Sequence, residues 1–247
     1  MTKILALNGS PRGLESNTQA LLTPFLEGAR EAGAETDLLV VRDLDVKFCR
    51  GCFACWSSTP GRCCQKDDMT RVLDLWRQSD YVVYGTPLYH FGMTAVLKRV
   101  IERTLPVLEP RMEQYGDRTG HPLRQGSRRS RAVLIANCGF PERVHFDPLV
   151  EQMRHLTGGG KGLAATILVA GGEALNRTYS PDSPFNWLFT AVRQAGREVV
   201  TQGRLSPATQ ETLDHPLAPA EVYRQVANAS WVIKDSAGGR PKPESLP

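Results

Sequence analysis

Lys3-Ile4-Leu5-Ala6-Leu7-Asn8-Gly9-Ser10-Pro11-Arg12-Gly13-Leu14-Glu15-Ser16-Asn17-Thr18 decides the fold class. Lys3 to Leu7 is a short apolar run that reads as a buried strand, and Asn8-Gly9-Ser10-Pro11 reads as a tight turn. From Asn17 or Thr18 a helix follows, with Leu21, Leu22, Phe25 and Ala29 at helical spacing and Gly33 just past its end. A loop between strand and helix is where an open α/β sheet binds phosphate, because backbone N–H groups and the helix start favour negative charge. Ser10, Ser16 and Thr18 add hydroxyls, Asn17 an amide and Arg12 a cation. Ser16 or Asn17 also reads as an ordinary N-cap. The loop has neither the lysine of a P-loop nor a G-x-G-x-x-G run, so a single phosphate, as in FMN, fits better.

The same rhythm continues along the chain. Thr36 to Val41, Tyr81 to Tyr84, Ala132 to Ala136 and Ala164 to Val169 read as further strands. Between them, helices are expected from Asp67-Asp68 through Met69, Val72, Leu73 and Trp76, over Thr94 to Glu102, and over Asp147 to Leu156. A last one covers Phe185 to Val199. This alternation argues for a parallel sheet covered on both faces. Residues 105–130 break it with prolines, glycines and arginines and read as an insertion. The expected organisation is a domain over 1–200 with a cysteine loop at 47–68, a helical extension over 201–235 carrying Val222, Val226 and Trp231, and a disordered tail over 236–247.

The 247 residues are 41% hydrophobic and 23% charged, as in an ordinary globular protein with ample core. The net charge of +4 is mild and partly local to Arg124, Arg128, Arg129 and Arg131, which read as a solvated face rather than a nucleic-acid surface. No apolar run approaches the roughly 18 residues of a membrane span, and the start has no signal-peptide architecture. A cytoplasmic protein is expected. There, clustered cysteines point to metal or redox chemistry rather than structural disulfides.

Five of the six cysteines fall within sixteen residues, in Cys49-Arg-Gly-Cys52-Phe-Ala-Cys55 and then Cys63-Cys64. That spacing suits an iron–sulfur cluster or a tetrahedral metal site better than packed core thiols. Structural zinc, free or reversibly paired thiols in a lid or dimer contact, and thiol–disulfide exchange through Cys49 or Cys52 are the other readings.

Four blocks carry a resemblance to the NADPH-dependent FMN reductase and iron–sulfur flavoprotein group of the flavodoxin-like fold. They are Gly9-Ser10-Pro11-Arg12 with Ser16-Asn17-Thr18; Cys49 to Asp68; Thr86-Pro87-Leu88-Tyr89-His90-Phe91-Gly92-Met93 running to Lys98; and Asn137-Cys138-Gly139-Phe140-Pro141-Glu142. The resemblance implies a three-layer sandwich with five parallel strands in order 2-1-3-4-5 and FMN at their carboxyl ends. It implies that Pro87, Leu88, Tyr89, His90 and Phe91 form the second FMN loop, and Asn137, Cys138 and Gly139 the third. Tyr89 and Phe91 could stack on the flavin ring while backbone N–H groups steady its charge. It further implies a [4Fe–4S] cluster on Cys49, Cys52, Cys55 and Cys63, although seven residues separate Cys55 from Cys63. Cys138 reads more simply as a small packed residue, and His145 as a structural or surface histidine.

The function expected is an oxidoreductase in which NADPH or NADH reduces FMN by hydride transfer. The electrons then pass to a quinone, free flavin, nitro compound or metal centre. No side chain is assigned a catalytic role. The alternative is an electron carrier whose cluster exchanges electrons with a ferredoxin-like protein. A homodimer or dimer of dimers is expected.

Overall fold

The computed structural model describes residues 1–230. Trp231 and the 236–247 tail lie outside the described residues. The first strand is β1 (Lys3–Asn8), followed by α1 (Asn17–Glu31) and β2 (Glu35–Val40). After the cysteine segment come α2 (Met69–Gln78), β3 (Tyr81–Pro87) and α3 (Ala95–Glu102). The insertion carries a small antiparallel hairpin, β4 (Glu113–Tyr115) and β5 (Arg118–Gly120). The sheet resumes with β6 (Arg131–Asn137), α4 (Asp147–Leu156), β7 (Leu163–Val169) and α5 (Asn186–Gln202). Two short helices, α6 (Pro207–Asp214) and α7 (Ala220–Ser230), follow.

The main sheet runs β2-β1-β3-β6-β7, all parallel. It departs from the expected 2-1-3-4-5 numbering only because the hairpin takes the numbers four and five. The architecture is flavodoxin-like. Strands β1, β3 and β6 are buried almost without interruption, because helices cover both faces and neither set of alternating side chains meets water. Ile4, Ala6, Val83, Val133 and Ile135 point to the layer of α1 and α5. Leu5, Leu7, Val82, Tyr84 and Leu134 point to the layer of α2, α3 and α4.

Helices α1 and α5 cross at two glycines. A Cβ on Gly28 would collide with the carbonyl of Arg193, and one on Gly196 with the carbonyl of Phe25. Only hydrogen at both positions lets these backbones meet.

Element ends differ from the sequence expectation by one to three residues. Val41 belongs to a short 3-10 turn rather than to β2, and β3 runs on to Pro87. No helix among the described residues is long and apolar enough to cross a membrane.

Candidate functional site

The three loops expected to hold FMN meet at the carboxyl ends of β1, β3 and β6. Asn8, buried at the end of β1, organises the first. Its Oδ1 accepts from the Ser10 N–H at 2.9 Å, and its Nδ2 donates to the Gly13 carbonyl at 3.0 Å. Gly9 lets the loop lie against the sheet: its N–H donates to the Gly85 carbonyl at 2.8 Å, and a Cβ there would lie 2.6 Å from Leu97 Cβ. Thr94, the N-cap of α3, donates to the Gly9 carbonyl at 2.6 Å.

The loop's polar side chains divide into committed and available groups. Ser16 is the N-cap of α1. It accepts from the Gln19 N–H at 3.1 Å and donates its hydroxyl hydrogen to the Gly13 carbonyl at 2.6 Å. Its hydroxyl hydrogen, expected to face a phosphate, holds the loop in this structure. Ser10 Oγ accepts from the Arg12 N–H at 3.2 Å, which leaves its own hydrogen to donate. Thr18 Oγ1 accepts from Asn137 Nδ2 at 3.0 Å and likewise keeps a hydrogen. Arg12 lies at the surface, 3.4 Å from Glu173.

Asn17 is the most informative of the set. Its Oδ1 accepts from the Arg177 N–H at 2.6 Å, which orients the amide, while its buried Nδ2 has no partner among the described residues. A buried amide hydrogen without an acceptor is costly, about 1–3 kcal/mol. Beside it, Asn17 and Thr18 head a helix whose first N–H groups have no intrahelical acceptor. An anion satisfies both, so the loop fits a phosphate.

The second and third loops are tied together. Leu88 N–H donates to the Asn137 carbonyl at 2.8 Å, and the Asn137–Thr18 bond joins both loops to α1. Tyr89 and Gly92 exchange two backbone bonds of 3.0 Å around a two-residue turn. His90 and Phe91, its centre, both take the left-handed conformation, with φ of 47° and 60°. Strain of this kind in non-glycine residues concentrates at functional sites. The N–H groups of Leu88, Tyr89 and Cys138 are engaged within the protein. Those of His90, Phe91 and Gly139 have no acceptor among the described residues and are the donors available to a flavin ring. Pro87 closes β3 without a donor of its own.

Tyr89 and Phe91 are about half exposed, as stacking surfaces must be. His145 gathers Phe140 and Phe91, with ring centroids at 4.6 and 5.8 Å, and lies 3.6 Å from Glu142. Cys138 is the packed thiol expected: burial pushes its pKa up, and its Sγ donates to the Phe140 carbonyl at 3.2 Å.

The cysteine segment fills the connection from β2 to α2. Cys49, Cys52, Cys55, Cys63 and Cys64 line one pocket with Arg103 at its edge. All six cysteines are free. Burial, then the nearby Cys63 sulfur, raise the Cys55 pKa. Cys52 and Cys64 lie 3.7 Å apart, with the first titrating low, through a backbone hydrogen bond at Ala54 and then Cys64, and the second high, through Cys52. Five soft donors around one pocket suit a thiophilic centre in chemistry. Among the described residues, however, no three His, Cys, Asp or Glu side chains are drawn closely enough together to hold a metal ion. The expected quartet thus shares a pocket without forming a closed coordination shell.

Sequence reasoning missed what supports that pocket. Arg103 is buried and joins Asp67 at 2.8 and 3.0 Å, the Lys47 carbonyl at 2.6 Å and Cys63 Sγ at 3.3 Å. Asp67 had read as a helix-start acid. It does accept from the Met69 N–H at 3.2 Å, but its main partner is Arg103. Trp56 pins the segment from the other side, donating Nε1–H to the Leu105 carbonyl at 3.0 Å. Asn176 and Arg177, a left-handed pair over the phosphate loop, were also missed. Their only signal was the Gly171-Gly172 turn after β7.

An iron-sulfur flavoprotein of Archaeoglobus fulgidus is 38% identical over 102 residues, covering 41% of this chain and 48% of the relative. One of Methanosarcina thermophila is 31% identical over 103 residues, covering 42% and 52%. The chain thus spans about half the length of these relatives. An azoreductase from Bacillus anthracis str. Sterne superposes with a TM-score of 0.56 at 16% identity, covering 82% of this chain and all of that one. The NAD(P)H:quinone oxidoreductase from Methanothermobacter marburgensis gives 0.56 at 18% identity, covering 80% and 98%. At such identities the two structures speak for the fold. Residues 2–135, more than half of the chain and inclusive of the phosphate loop, the cysteine segment and the β3 loop, match the family described as NADPH-dependent FMN reductase. The chain belongs to the NADPH-dependent FMN reductase family.

Proposed function

We propose that this chain is an FMN-dependent oxidoreductase that takes electrons from NADPH or NADH and delivers them to a quinone, a free flavin, a nitro compound or a metal centre. The observation that carries the reading is the buried Asn17 Nδ2 at the start of α1, which has no partner among the described residues. Asn17, Ser10, Thr18 and the first N–H groups of α1 hold the phosphate of FMN, with Arg12 as a solvent-side cation. Bound there, FMN supplies the hydride acceptance and onward electron release that no side chain of this chain can provide. The N–H groups of His90, Phe91 and Gly139 would donate to the ring, and Tyr89 and Phe91 would give it apolar cover. Pro87, Leu88, Asn137 and Cys138 hold these groups in register. No general acid or base is required of the protein for hydride transfer. Six free thiols suit a reducing cytoplasm. Exposed Phe48 and Phe53 beside the cysteine pocket suit a homodimer or a dimer of dimers, which light scattering after size-exclusion chromatography tests.

The test is anaerobic reduction of FMN-reconstituted protein. Addition of NADPH or NADH should bleach the flavin absorbance within seconds to minutes. Absent FMN binding, or a bound flavin that neither nucleotide bleaches, would overturn the reading.

One observation favours a second reading, an iron–sulfur flavoprotein that carries electrons to a ferredoxin-like partner: the five thiols that line a single pocket. Cys49, Cys52, Cys55 and Cys63 would hold a [4Fe–4S] cluster after the segment closes. Iron and acid-labile sulfide at about four each per chain in anaerobically purified protein would support it. Protein with FMN and no iron would leave the reductase alone.

A further inference from the structure

The cysteine pocket contains one close sulfur pair, Cys52 and Cys64, and neither reading uses Cys64. Cys52 Sγ and Cys64 Sγ are 3.7 Å apart, and both residues are exposed. The remaining thiols are placed otherwise. Cys55 is buried, Cys49 is half-buried, and Cys63 is held by the buried Arg103 guanidinium at 3.3 Å. Cys138 is buried at the end of β6, where it donates to the Phe140 carbonyl.

A disulfide bond is about 2.05 Å long, so the two sulfurs need to approach by roughly 1.6–1.7 Å. The chain on the Cys52 side has room for that movement. Gly51 has no atom within 4 Å of the place where a Cβ would stand, and Arg50, Gly51, Cys52 and Phe53 are all exposed. The Cys64 side is fixed, because its neighbour Cys63 is bound to Arg103 and its neighbour Gln65 donates to the Phe48 carbonyl at 3.0 Å. One thiol with space to move facing one anchored thiol, both open to solvent, is the arrangement that disulfide exchange needs.

We propose that Cys52 and Cys64 form a dithiol that exchanges with small-molecule disulfides and closes as a Cys52–Cys64 bridge. Whichever of the two attacks first, its thiolate bonds to one sulfur of the external disulfide, whose S–S bond breaks and releases one thiolate. The second cysteine, as thiolate, then attacks the protein sulfur of the mixed disulfide and expels the other thiolate. Two protein thiols are oxidised to one disulfide. The external disulfide is reduced to two thiols, which carry the two protons. Because the bridge withdraws the Cys52 sulfur, it excludes any metal centre that uses that residue.

The test is oxidation of the reduced, anaerobic full-length protein with glutathione disulfide, followed by acid quenching, alkylation and peptide mass mapping. Trypsin separates residues 51–62 from 63–66. A linked pair is therefore read directly, and fragmentation distinguishes Cys52 from Cys55 and Cys64 from Cys63. The expected result is the loss of two free thiols per chain, a dominant Cys52–Cys64 link, and full reversal by dithiothreitol. Cys52→Ser and Cys64→Ser should each lose the bridge, and at least one of them should stop at a glutathione adduct on the remaining cysteine of the pair. A dominant link through Cys49, Cys55 or Cys63, retention of all thiols, or the absence of an adduct from both variants would each overturn the proposal. Far-ultraviolet circular dichroism of both variants, unchanged from the parent, excludes misfolding as the cause.

Discussion

Arg103 and Asp67 meet inside the protein through both guanidinium ends, at 2.8 and 3.0 Å, with side chains only 1% and 0% exposed. This pair lies under the cysteine segment and joins α3 to the entrance of α2. Surface ion pairs elsewhere in the chain contribute little. This one is different because removal of one member leaves a buried charge without its counter-ion.

Asp67→Ala should therefore cost about 3–5 kcal/mol of unfolding free energy, measured by urea denaturation. Asp43→Ala, which breaks the exposed Arg42–Asp43 pair, should change stability by less than about 1 kcal/mol. Equal effects of the two substitutions would mean that the Arg103 site is reached by water.

The same pair predicts a pH dependence. Burial acts to raise the Asp67 pKa, but hydrogen bonds from Arg103 and from the Lys47 N–H outweigh it and hold the carboxyl below its ordinary value. Its stabilising contribution is complete above the unfolded-chain value of about 3.9 and is lost as pH falls through the lower folded value. Glu198 is depressed in the same direction: burial is outweighed there by Ser206, Gln194 and Thr209. The informative quantity is thus the difference between parent and Asp67→Asn in urea midpoints from pH 5 to pH 2.5. That difference should shrink as the acid side is approached. A difference independent of pH would sink the argument.

Asn17→Ala should weaken FMN binding by about tenfold or more, since a hydrogen bond to a charged group contributes roughly 1.5–3 kcal/mol. Arg12→Ala should have the smaller effect, because Arg12 is exposed and already paired with Glu173. Flavin fluorescence quenching measures both. Undiminished affinity in Asn17→Ala would move the phosphate away from this loop.

Gly196→Ala should destabilise the protein by about 1–3 kcal/mol, even though alanine is the better helix former by about 1 kcal/mol. The steric term wins because the new methyl group would enter the Phe25 carbonyl across the α1–α5 crossing. A rise in melting temperature would show that the helices can separate without loss of packing.

The sequence by itself determined the sheet and the place of the polar loop between β1 and α1. Apolar runs such as Lys3–Leu7 and turn residues such as Gly9-Ser10-Pro11 act over a few positions, so their periods and breaks can be read directly. The motifs also placed Pro87–Phe91 and Asn137–Gly139 at the carboxyl ends of β3 and β6. What a side chain does there was less legible. Ser16 and Asn17 are neighbours of similar promise, yet Ser16 caps its own helix while Asn17 reaches Arg177 and keeps one donor free.

Only the tertiary structure decided such matters, because they depend on residues far apart in the chain. Arg103 lies 36 residues from Asp67, and Asn17 lies 160 from Arg177. Among five closely spaced cysteines, the fold sets Cys63 against Arg103 and leaves Cys52 facing Cys64. Spacing restricts which sulfurs can meet. Which ones do meet is set by how the segment packs on α3 and the insertion, through Arg103, Trp56 and Leu105.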